Sequence, residues 1–441
     1  MSLQRSEKLA YYFALVFAVY MPLHIFLSQS LSLVTGGLEI WKAAKDVVIC
    51  IAVPFLLFLA YKQGAFKRRF LRWFMIIGGL YALLYALFLL FDKNADTKSA
   101  ITASVYNTRP LAYALLGHVV ASSQNGKVYA KTLLKVMLVI CAVVASFGVA
   151  QYFLPKDLLT HVGYSVARGV KPFFFIDDKP DFPRVMSTLR DPNSLAAFLT
   201  LPILYAAYYL GIKRGKQEWK VLSDARLKIL LVVSLVCLVA TFSRSGILTV
   251  GLGLATLLAA VLKNKKLVFK KYLPYFAAVI IVCVALLGVF RQTYVVQNLL
   301  LHADTSTVQE DPNQLRLSFG KQAAEHIKQY PLGSGPGTAG LVAISNPKGG
   351  VLTEDYYLQI AYEVGIIGIV LFVALLILLL SELYKSRAQP LALIVFCAGV
   401  GIALFGVLNH SWSNESLAFI WWFPAGLALG AGSGVVVKKS R

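Results

Sequence analysis

The sequence predicts an all-α, polytopic membrane protein with about twelve transmembrane helices. Of its 441 residues, 58% are hydrophobic, and they come in repeated runs of about 17–24 residues, each long enough to cross the hydrocarbon core of a bilayer. Lysine and arginine concentrate in alternate connections between these runs, as expected of a multi-pass chain. A soluble domain would instead distribute its apolar residues over short periodic patches.

The apolar runs are treated as spans of a single integral membrane domain that covers residues 1–441. The first run has no small-residue cleavage site after it, so we expect a retained helix rather than a signal peptide. The spans are nearly free of charged residues, and Glu363 in the tenth span is the main exception. The expected spans are 9–27, 46–61, 73–91, 103–121, 132–153, 193–212, 227–242, 245–262, 272–290, 356–380, 390–408 and 416–436.

The distribution of charge predicts that both termini face the cytoplasm. Connections on that side, such as 62–72 and 263–271, are rich in lysine and arginine and poor in acids, whereas the opposite side is close to neutral. The net charge of +22 is therefore explained mostly by attraction of these connections to anionic lipid. Nucleic-acid binding is not needed to explain it, and N-in, C-in topology requires an even number of spans.

Several classes of chemistry find no support in the sequence. The five cysteines all lie within apolar runs, and the six histidines show no ligand spacing, so neither a disulfide framework nor a metal site is expected. The chain has no GxxxxGK[ST] pattern, and hence no ATP site of the P-loop type. We expect no cofactor.

Three connections on the predicted outer side are long or unusually polar. The connection 154–191 is rich in aromatic residues and prolines, and the segment 243–246 is a polar turn between two apolar runs. The largest, 291–355, contains Asp311-Pro312, a typical helix start, followed by a short amphipathic helix with Arg316 in its first turns. If the intervening spans pack together, all three connections face one outer vestibule.

Arginines near the ends of spans are candidates for binding an anion. Arg244 lies between two apolar runs, where an arginine is costly unless it has a partner or a function, and a guanidinium can bind phosphate bidentately. Contact with lipid headgroups is the alternative for both Arg244 and Arg316. Arg109, ahead of Pro110 at the expected outer end of the fourth span, is a similar candidate.

A second helix start precedes the sixth span at Asp191-Pro192-Asn193. A helix N-terminus that faces the vestibule offers unpaired N–H groups to an anion, although simple capping explains the same residues. Arg184 and Arg190 lie just before this start and could add positive charge.

Glu354 and Asp355 come directly before the tenth span. Either they simply stabilise the first turn against the helix dipole, or one of them is a general base poised over the vestibule. Glu363, deeper in the same span, is either a polar contact between helices or a second group of the site. The glycine-rich segment 331–337 is most simply a turn, with a phosphate cradle as the second interpretation.

Taken together, these motifs resemble the superfamily of O-antigen ligases and O-antigen polymerases of the bacterial envelope. The resemblance covers about residues 184–370, and the twelve-span topology agrees with it. Its motifs are Arg184 with Asp191-Pro192-Asn193, Ser243-Arg244-Ser245-Gly246, Arg316 followed by Tyr330 to Gly337, and Tyr356-Tyr357-Leu358-Gln359 followed by Glu363 and Gly365.

This resemblance implies a fold, a donor and roles for individual residues. Members of the superfamily are metal-independent glycosyltransferases of the GT-C type, whose donor is a glycan on an undecaprenyl-pyrophosphate carrier. Arg244 and Arg316 would then hold the pyrophosphate. Ligases of the family carry His-Asn just before the Tyr-Leu pair, with the histidine as proposed base. This chain has Glu354-Asp355 there, so Glu354 takes the position of the base.

We therefore expect an inverting glycosyltransferase of polysaccharide and cell-envelope biogenesis at the outer face of the cytoplasmic membrane, with a glycan, lipid or cell-wall acceptor. The catalytic residues would be Arg244, Arg316 and Glu354. A polymerase of lipid-linked repeat units is the nearest alternative. A non-enzymatic transporter or flippase, the other alternative, predicts polar groups at the midplane and broken helices in matching halves. The expected substrate-binding residues are Arg184, Arg190, Asn193, Asp355, Tyr357 and Arg109.

Overall fold

The computed structural model describes residues 2–91, 94–176, 179–211, 217–262 and 312–431. Within these ranges the chain is mostly helical, and eight helices are long and apolar enough to cross a membrane. The prediction of an all-α, multi-pass membrane protein is confirmed at this level, whereas the count of twelve spans and the orientation of the termini stay predictions. The ninth expected span, 272–290, and Asp311 lie outside the described residues.

The helices are numbered here in chain order. They are α1 Leu3–Thr35, α2 Leu38–Lys62, α3 Arg69–Phe91, α4 Thr97–Ala121, α5 Gly126–Phe153, α6 Pro192–Phe198, α7 Thr200–Gly211, α8 Asp224–Ala240, α9 Arg244–Leu262, α10 Pro312–Gln329, α11 Gly340–Ala343, α12 Tyr356–Lys385, α13 Pro390–Leu408 and α14 Glu415–Ala431. Short 3₁₀ turns occupy Ala65–Lys67, Leu158–Val162, Val166–Arg168 and Gln217–Trp219, and two strands occupy Phe174–Ile176 and Lys179–Arg184.

Helices α4, α8 and α14 coincide with expected spans but are not among the eight. Helix α8 has 17 residues, short of the roughly 20 that an untilted crossing needs, and the described part of α14 also has 17. Helix α4 has 25 residues, but its sequence is interrupted by polar side chains such as Asn107 and Arg109. Both of these side chains are buried, which means that α4 faces protein rather than lipid at these positions.

Helix α14 forms the centre of the bundle with α4. The two backbones approach so closely that a Cβ atom on Gly426 would overlap the carbonyl oxygen of Ala114, and one on Gly117 would overlap that of Phe423. Small residues permit this approach, which maximises van der Waals packing between helices where lipid offers no hydrophobic driving force. Nearly every residue of α14 is buried as a result.

The connection 154–191 ends in a small antiparallel hairpin, in which Phe174 lies opposite Arg184. The expectation of a purely helical chain did not include this hairpin. The segment that follows it is anchored to the bundle, because the N–H of Val185 donates to the carbonyl of Ala240 at the end of α8 (3.2 Å). Arg184 is thereby held beside the start of α9.

Helix α12 is broken in its first half. Val364 and Gly365 leave helical geometry, and Gly365 has a φ of +72°, a left-handed conformation that only glycine adopts without strain. The break exposes backbone groups that need partners. The turn 331–337 supplies them, through the hydrogen bonds Ser334 N–H to Tyr362 O (2.9 Å), Gly335 N–H to Glu363 O (2.8 Å) and Ile366 N–H to Pro331 O (2.9 Å).

Replacing Gly365 with alanine is expected to destabilise the protein. The left-handed conformation alone costs about 1–3 kcal/mol for a residue with a side chain, and a Cβ atom would also overlap the backbone of Leu332. Gly251→Ala in α9 is the matched control, because a Cβ atom there meets nothing within 4 Å. Thermal unfolding in detergent should show a lower midpoint for Gly365→Ala only; equal midpoints would contradict the description of the break.

Candidate active site

Helix α10 lies against the first half of α12. Ala323 is buried between the two helices, next to Tyr362 and Leu358. The ring of His326 stacks on Tyr362 with centroids 4.0 Å apart, and its Nε2 is 2.6 Å from the hydroxyl of Ser334. The amphipathic helix predicted after Asp311 is therefore present, and its apolar face packs on α12.

An ion pair joins the first turns of α10 to the residue that precedes the N-cap of α12. Nε of Arg316 donates to Oε2 of Glu354 at 2.5 Å, and both side chains are about one-third exposed, at 38% and 32%. Glu354 has a φ of +51°, which is unfavourable for a residue with a side chain and is typical of functional sites and tight turns. The pair is therefore held at the accessible surface by a strained backbone.

Asp355 has a different role from its neighbour. It is the N-cap of α12, and its Oδ1 accepts the N–H groups of Tyr357 (2.7 Å) and Leu358 (3.0 Å). Burial raises the pKa of Asp355, while these two N–H groups lower it. Helix α12 begins at Tyr356, the expected start of the tenth span, and Glu354 precedes the cap.

Arg244 is the first residue of α9, and its side chain is exposed. The residue before it, Ser243, donates to Oδ1 of Asn193 at 2.9 Å. Nη2 of Arg184 donates to the same oxygen at 2.9 Å, while its Nε donates to the carbonyl of Thr241 at 2.9 Å. Two of the predicted substrate-binding residues therefore contact each other directly beside Arg244.

The α13–α14 loop, residues 409–414, connects this group to the start of α12. The amide of Asn409 donates to the hydroxyl of Ser245 at 3.1 Å. The ring of His410 contacts the side chain of Gln359 at 2.9 Å, and Gln359 lies one helical turn after the Asp355 cap. The structure thus brings the starts of α6, α9 and α12 to one end of the bundle through a continuous set of polar contacts.

The remaining candidates occupy three different environments. Arg190 is half-buried near His410 and forms no ion pair with another described residue. The hydroxyl of Tyr357 donates to the carbonyl of Ala403 at 2.8 Å, so this residue also joins α12 to α13. Arg109 is only 2% exposed and lies three turns inside α4. The expectation that Arg109 sits at an outer helix end is therefore wrong.

Arg109 belongs to a buried cluster of charges from four helices. Its guanidinium pairs with Asp46 at 2.8 Å and with Glu415 at 3.2 Å. Lys45 pairs with Asp46 at 3.0 Å, and His24 lies 3.2 Å from Glu415. All five side chains are nearly inaccessible. Two cations face two anions, with a histidine beside them, so the pairing itself accounts for the burial of these charges.

The expectation that the spans carry almost no charge apart from Glu363 is wrong, because this cluster buries charged side chains from four helices. Lys45, Asp46 and Glu415 lie next to the expected ends of their spans, where a charge normally contacts water or headgroups. The signal that could have indicated the cluster is Arg109, which falls within an apolar run and therefore needs acidic partners from other helices.

Glu363 is fully buried at the break in α12. Its carboxylate accepts the N–H of Gly337 at 2.8 Å and the side-chain amide of Asn107 at 2.9 Å. Gly333, Gly335 and Gly337 all have positive φ values, of 97°, 96° and 84°. The glycine-rich segment is therefore a turn that wraps a carboxylate of the protein itself, and its Gly337 N–H is already used by Glu363 rather than open to a phosphate.

The described part of the chain contains no group of three or more histidine, cysteine or acidic side chains arranged to hold a metal ion. The polar groups at the end of the bundle are instead arginines, carboxylates, amides and hydroxyls. Such a set can bind a polar, anionic substrate through charge-assisted hydrogen bonds.

These features define a multi-pass membrane protein with paired arginine and carboxylate groups at one end of its helices. Residues 229–373 match a family described as O-antigen ligase, which confirms the resemblance to the O-antigen ligase superfamily over about a third of the chain. The matched segment contains Arg244, Arg316, Glu354 and the broken part of α12. No curated protein matches the chain.

Removing one charge from the buried cluster is expected to destabilise the protein strongly. Asp46→Asn leaves Arg109 and Lys45 without their shared partner, and breaking a buried pair typically costs about 3–5 kcal/mol. The control is Glu39→Gln, whose side chain is 63% exposed and pairs with Lys98 at the surface, where such pairs contribute about 0–1 kcal/mol. Thermal unfolding in detergent should separate the two variants, and a similar small loss in both would contradict the structural role of the cluster.

Proposed function

We propose that the protein transfers a glycan from an undecaprenyl-pyrophosphate carrier to an acceptor hydroxyl at the outer face of the cytoplasmic membrane, as an inverting, metal-independent glycosyltransferase of the GT-C type. The observation that carries the proposal is the Arg316–Glu354 pair at the start of α12, within the segment that matches O-antigen ligase. The match supports ligase- or polymerase-like activity, with a lipid-linked glycan and an acceptor as partners.

Arg244 and Arg316 bind the pyrophosphate in this proposal. Negative charge develops on the pyrophosphate as it leaves, and fixed cations directed at this charge lower the barrier, with one such contact typically contributing about 3–4 kcal/mol. A guanidinium has five N–H donors, so Arg316 can hold Glu354 through Nε while its terminal nitrogens bind phosphate oxygens.

Glu354 is the general base. The acceptor oxygen attacks the anomeric carbon, and its proton passes to the Glu354 carboxylate. The bond between the anomeric carbon and the phosphate oxygen breaks, and its electron pair leaves with the pyrophosphate. One displacement inverts the configuration of the anomeric carbon. The ion pair with Arg316 supports this role because it orients one carboxylate oxygen and leaves the other for the hydroxyl.

The residues around Arg244 position the lipid-linked substrate. Asn193 is fixed by Arg184 and Ser243, so its side chain presents a defined orientation beside the start of α9. Arg190 adds a further cation at this end of the bundle. Tyr357 and Asp355 shape the first turn of α12 next to Glu354.

A transporter would use its buried charges and broken helix differently. Its polar groups would line a path, whereas the described charges around Arg109 pair with one another. The break in α12 is filled by the turn 331–337 of the protein itself. Neither feature of the described residues therefore favours transport over transfer.

Arg316→Ala and Glu354→Gln are each expected to reduce kcat by about 10²–10³-fold, the typical loss when one transition-state contact is removed. The assay uses purified protein, undecaprenyl-pyrophosphate-linked oligosaccharide and acceptor in the presence of EDTA, because the arginines supply the positive charge in place of a metal. Arg387→Ala, an exposed arginine stacked on Tyr384, is the control and should retain full activity.

Full activity of either site variant would overturn the assignment of its residue. Loss of wild-type activity in EDTA, with recovery on adding Mg²⁺, would overturn metal independence while leaving glycan transfer intact.

The size of the product separates the two activities that the family match supports. A ligase transfers one block to its acceptor, whereas a polymerase produces a ladder that differs by one repeat unit per step. The acid at position 354, where ligases of the family carry histidine, is the observation that keeps the polymerase as a second candidate. Gel electrophoresis of the product from wild-type protein should show a single shifted band for the ligase, and a ladder would assign the polymerase.

A further inference from the structure

His410 lies in the α13–α14 loop and is not part of the site predicted from the sequence. Its Nδ1 is 2.9 Å from Oε1 of Gln359. Its Nε2 is buried and has no hydrogen-bond partner among the described residues. Leaving a buried polar atom unpaired costs about 1–3 kcal/mol, so a native structure that retains one calls for an explanation.

The contact with Gln359 determines which nitrogen of His410 carries the proton. Gln359 is buried, and the atom of its side-chain amide that faces Nδ1 of His410 is the oxygen Oε1. An amide oxygen only accepts hydrogen bonds. Nδ1 of His410 must then donate, and Nε2 carries a lone pair.

The charge state of His410 agrees with this arrangement. Burial and, to a smaller extent, the positive charge of Arg190 together lower the pKa of His410 to about 4. A histidine with a lowered pKa is neutral above that value, so at neutral pH Nε2 is a hydrogen-bond acceptor rather than a cation.

His410 also lies between the two parts of the candidate active site. Its neighbour Asn409 bonds Ser245, which directly follows Arg244. Its partner Gln359 lies one turn after Asp355, and Glu354 directly precedes that cap. The hydroxyl of the next residue, Ser411, is likewise buried without a hydrogen-bond partner among the described residues.

We propose that His410 is a further substrate-binding residue, whose Nε2 accepts a hydrogen bond from a hydroxyl of the transferred or accepting glycan. The chemistry fits a sugar, because a neutral hydrogen-bond acceptor complements the hydroxyl groups of an uncharged ring. The inference rests on the proposed glycan transfer and adds a residue from a loop outside the matched segment.

Two substitutions separate binding by Nε2 from a structural role of the ring. In His410→Asn the amide replaces Nδ1, so the contact with Gln359 can form, but nothing occupies the position of Nε2. In His410→Gln the longer side chain places an amide oxygen near the position of Nε2. Both variants are assayed with undecaprenyl-pyrophosphate-linked oligosaccharide and acceptor, alongside thermal unfolding in detergent.

We expect His410→Asn to unfold at the wild-type temperature and to raise KM for one of the two glycans about tenfold or more, which corresponds to the loss of one hydrogen bond, with little change in kcat. His410→Gln should keep a KM within a few-fold of wild type. A ring with only a structural role would affect the unfolding temperature and leave KM unchanged.

Wild-type values of KM and kcat in folded His410→Asn would overturn the role of His410 and leave the proposed function intact. If wild-type protein transfers no glycan, both proposals are overturned. If His410→Asn does not fold, His410→Gln decides, because a folded Gln variant with KM raised tenfold or more would also exclude binding through Nε2.

Discussion

The break in α12 is the constraint on which the described site depends. A helix that stops and restarts among apolar neighbours exposes backbone groups, and each group left unpaired in such surroundings costs several kcal/mol. The turn 331–337 pairs them, and the buried carboxylate of Glu363 adds a side-chain anchor to the same turn. One end of α10 is fixed there, and the opposite end is fixed by Arg316 and Glu354.

The charged groups discussed above fall into two classes, one buried between helices and one accessible at the end of the bundle. The cluster around Arg109 is balanced and contributed by four helices, so it adds little net stability, although removing one of its members is costly. Arg244 and Arg316 lie at accessible positions at one end of the bundle, where we propose that they bind the pyrophosphate. Arg109 therefore differs in environment from Arg244 and Arg316, although all three lie in or near apolar runs of the sequence.

The sequence predicts the described membrane helices and the candidate site residues from signals that are local. Apolar length indicates the spans, and the order of short motifs indicates Arg244, Arg316 and Glu354. The partners of Arg109 and the contact between Gln359 and His410 could not be predicted, because each joins segments far apart in the chain and depends on which helices are neighbours. The break in α12 could not be predicted from the sequence either, because a single glycine within an apolar run is compatible with an unbroken helix.

The arrangement of α12 and its turn also bears on how the protein is made. A ribosome completes residues 331–337 before it adds the broken part of α12, so the groups that pair with the break exist before the break itself enters the bilayer. A permuted chain that placed the turn after α12 would have to insert a helix with open backbone groups. The order of these two segments along the chain therefore makes the turn available as soon as the break is synthesised.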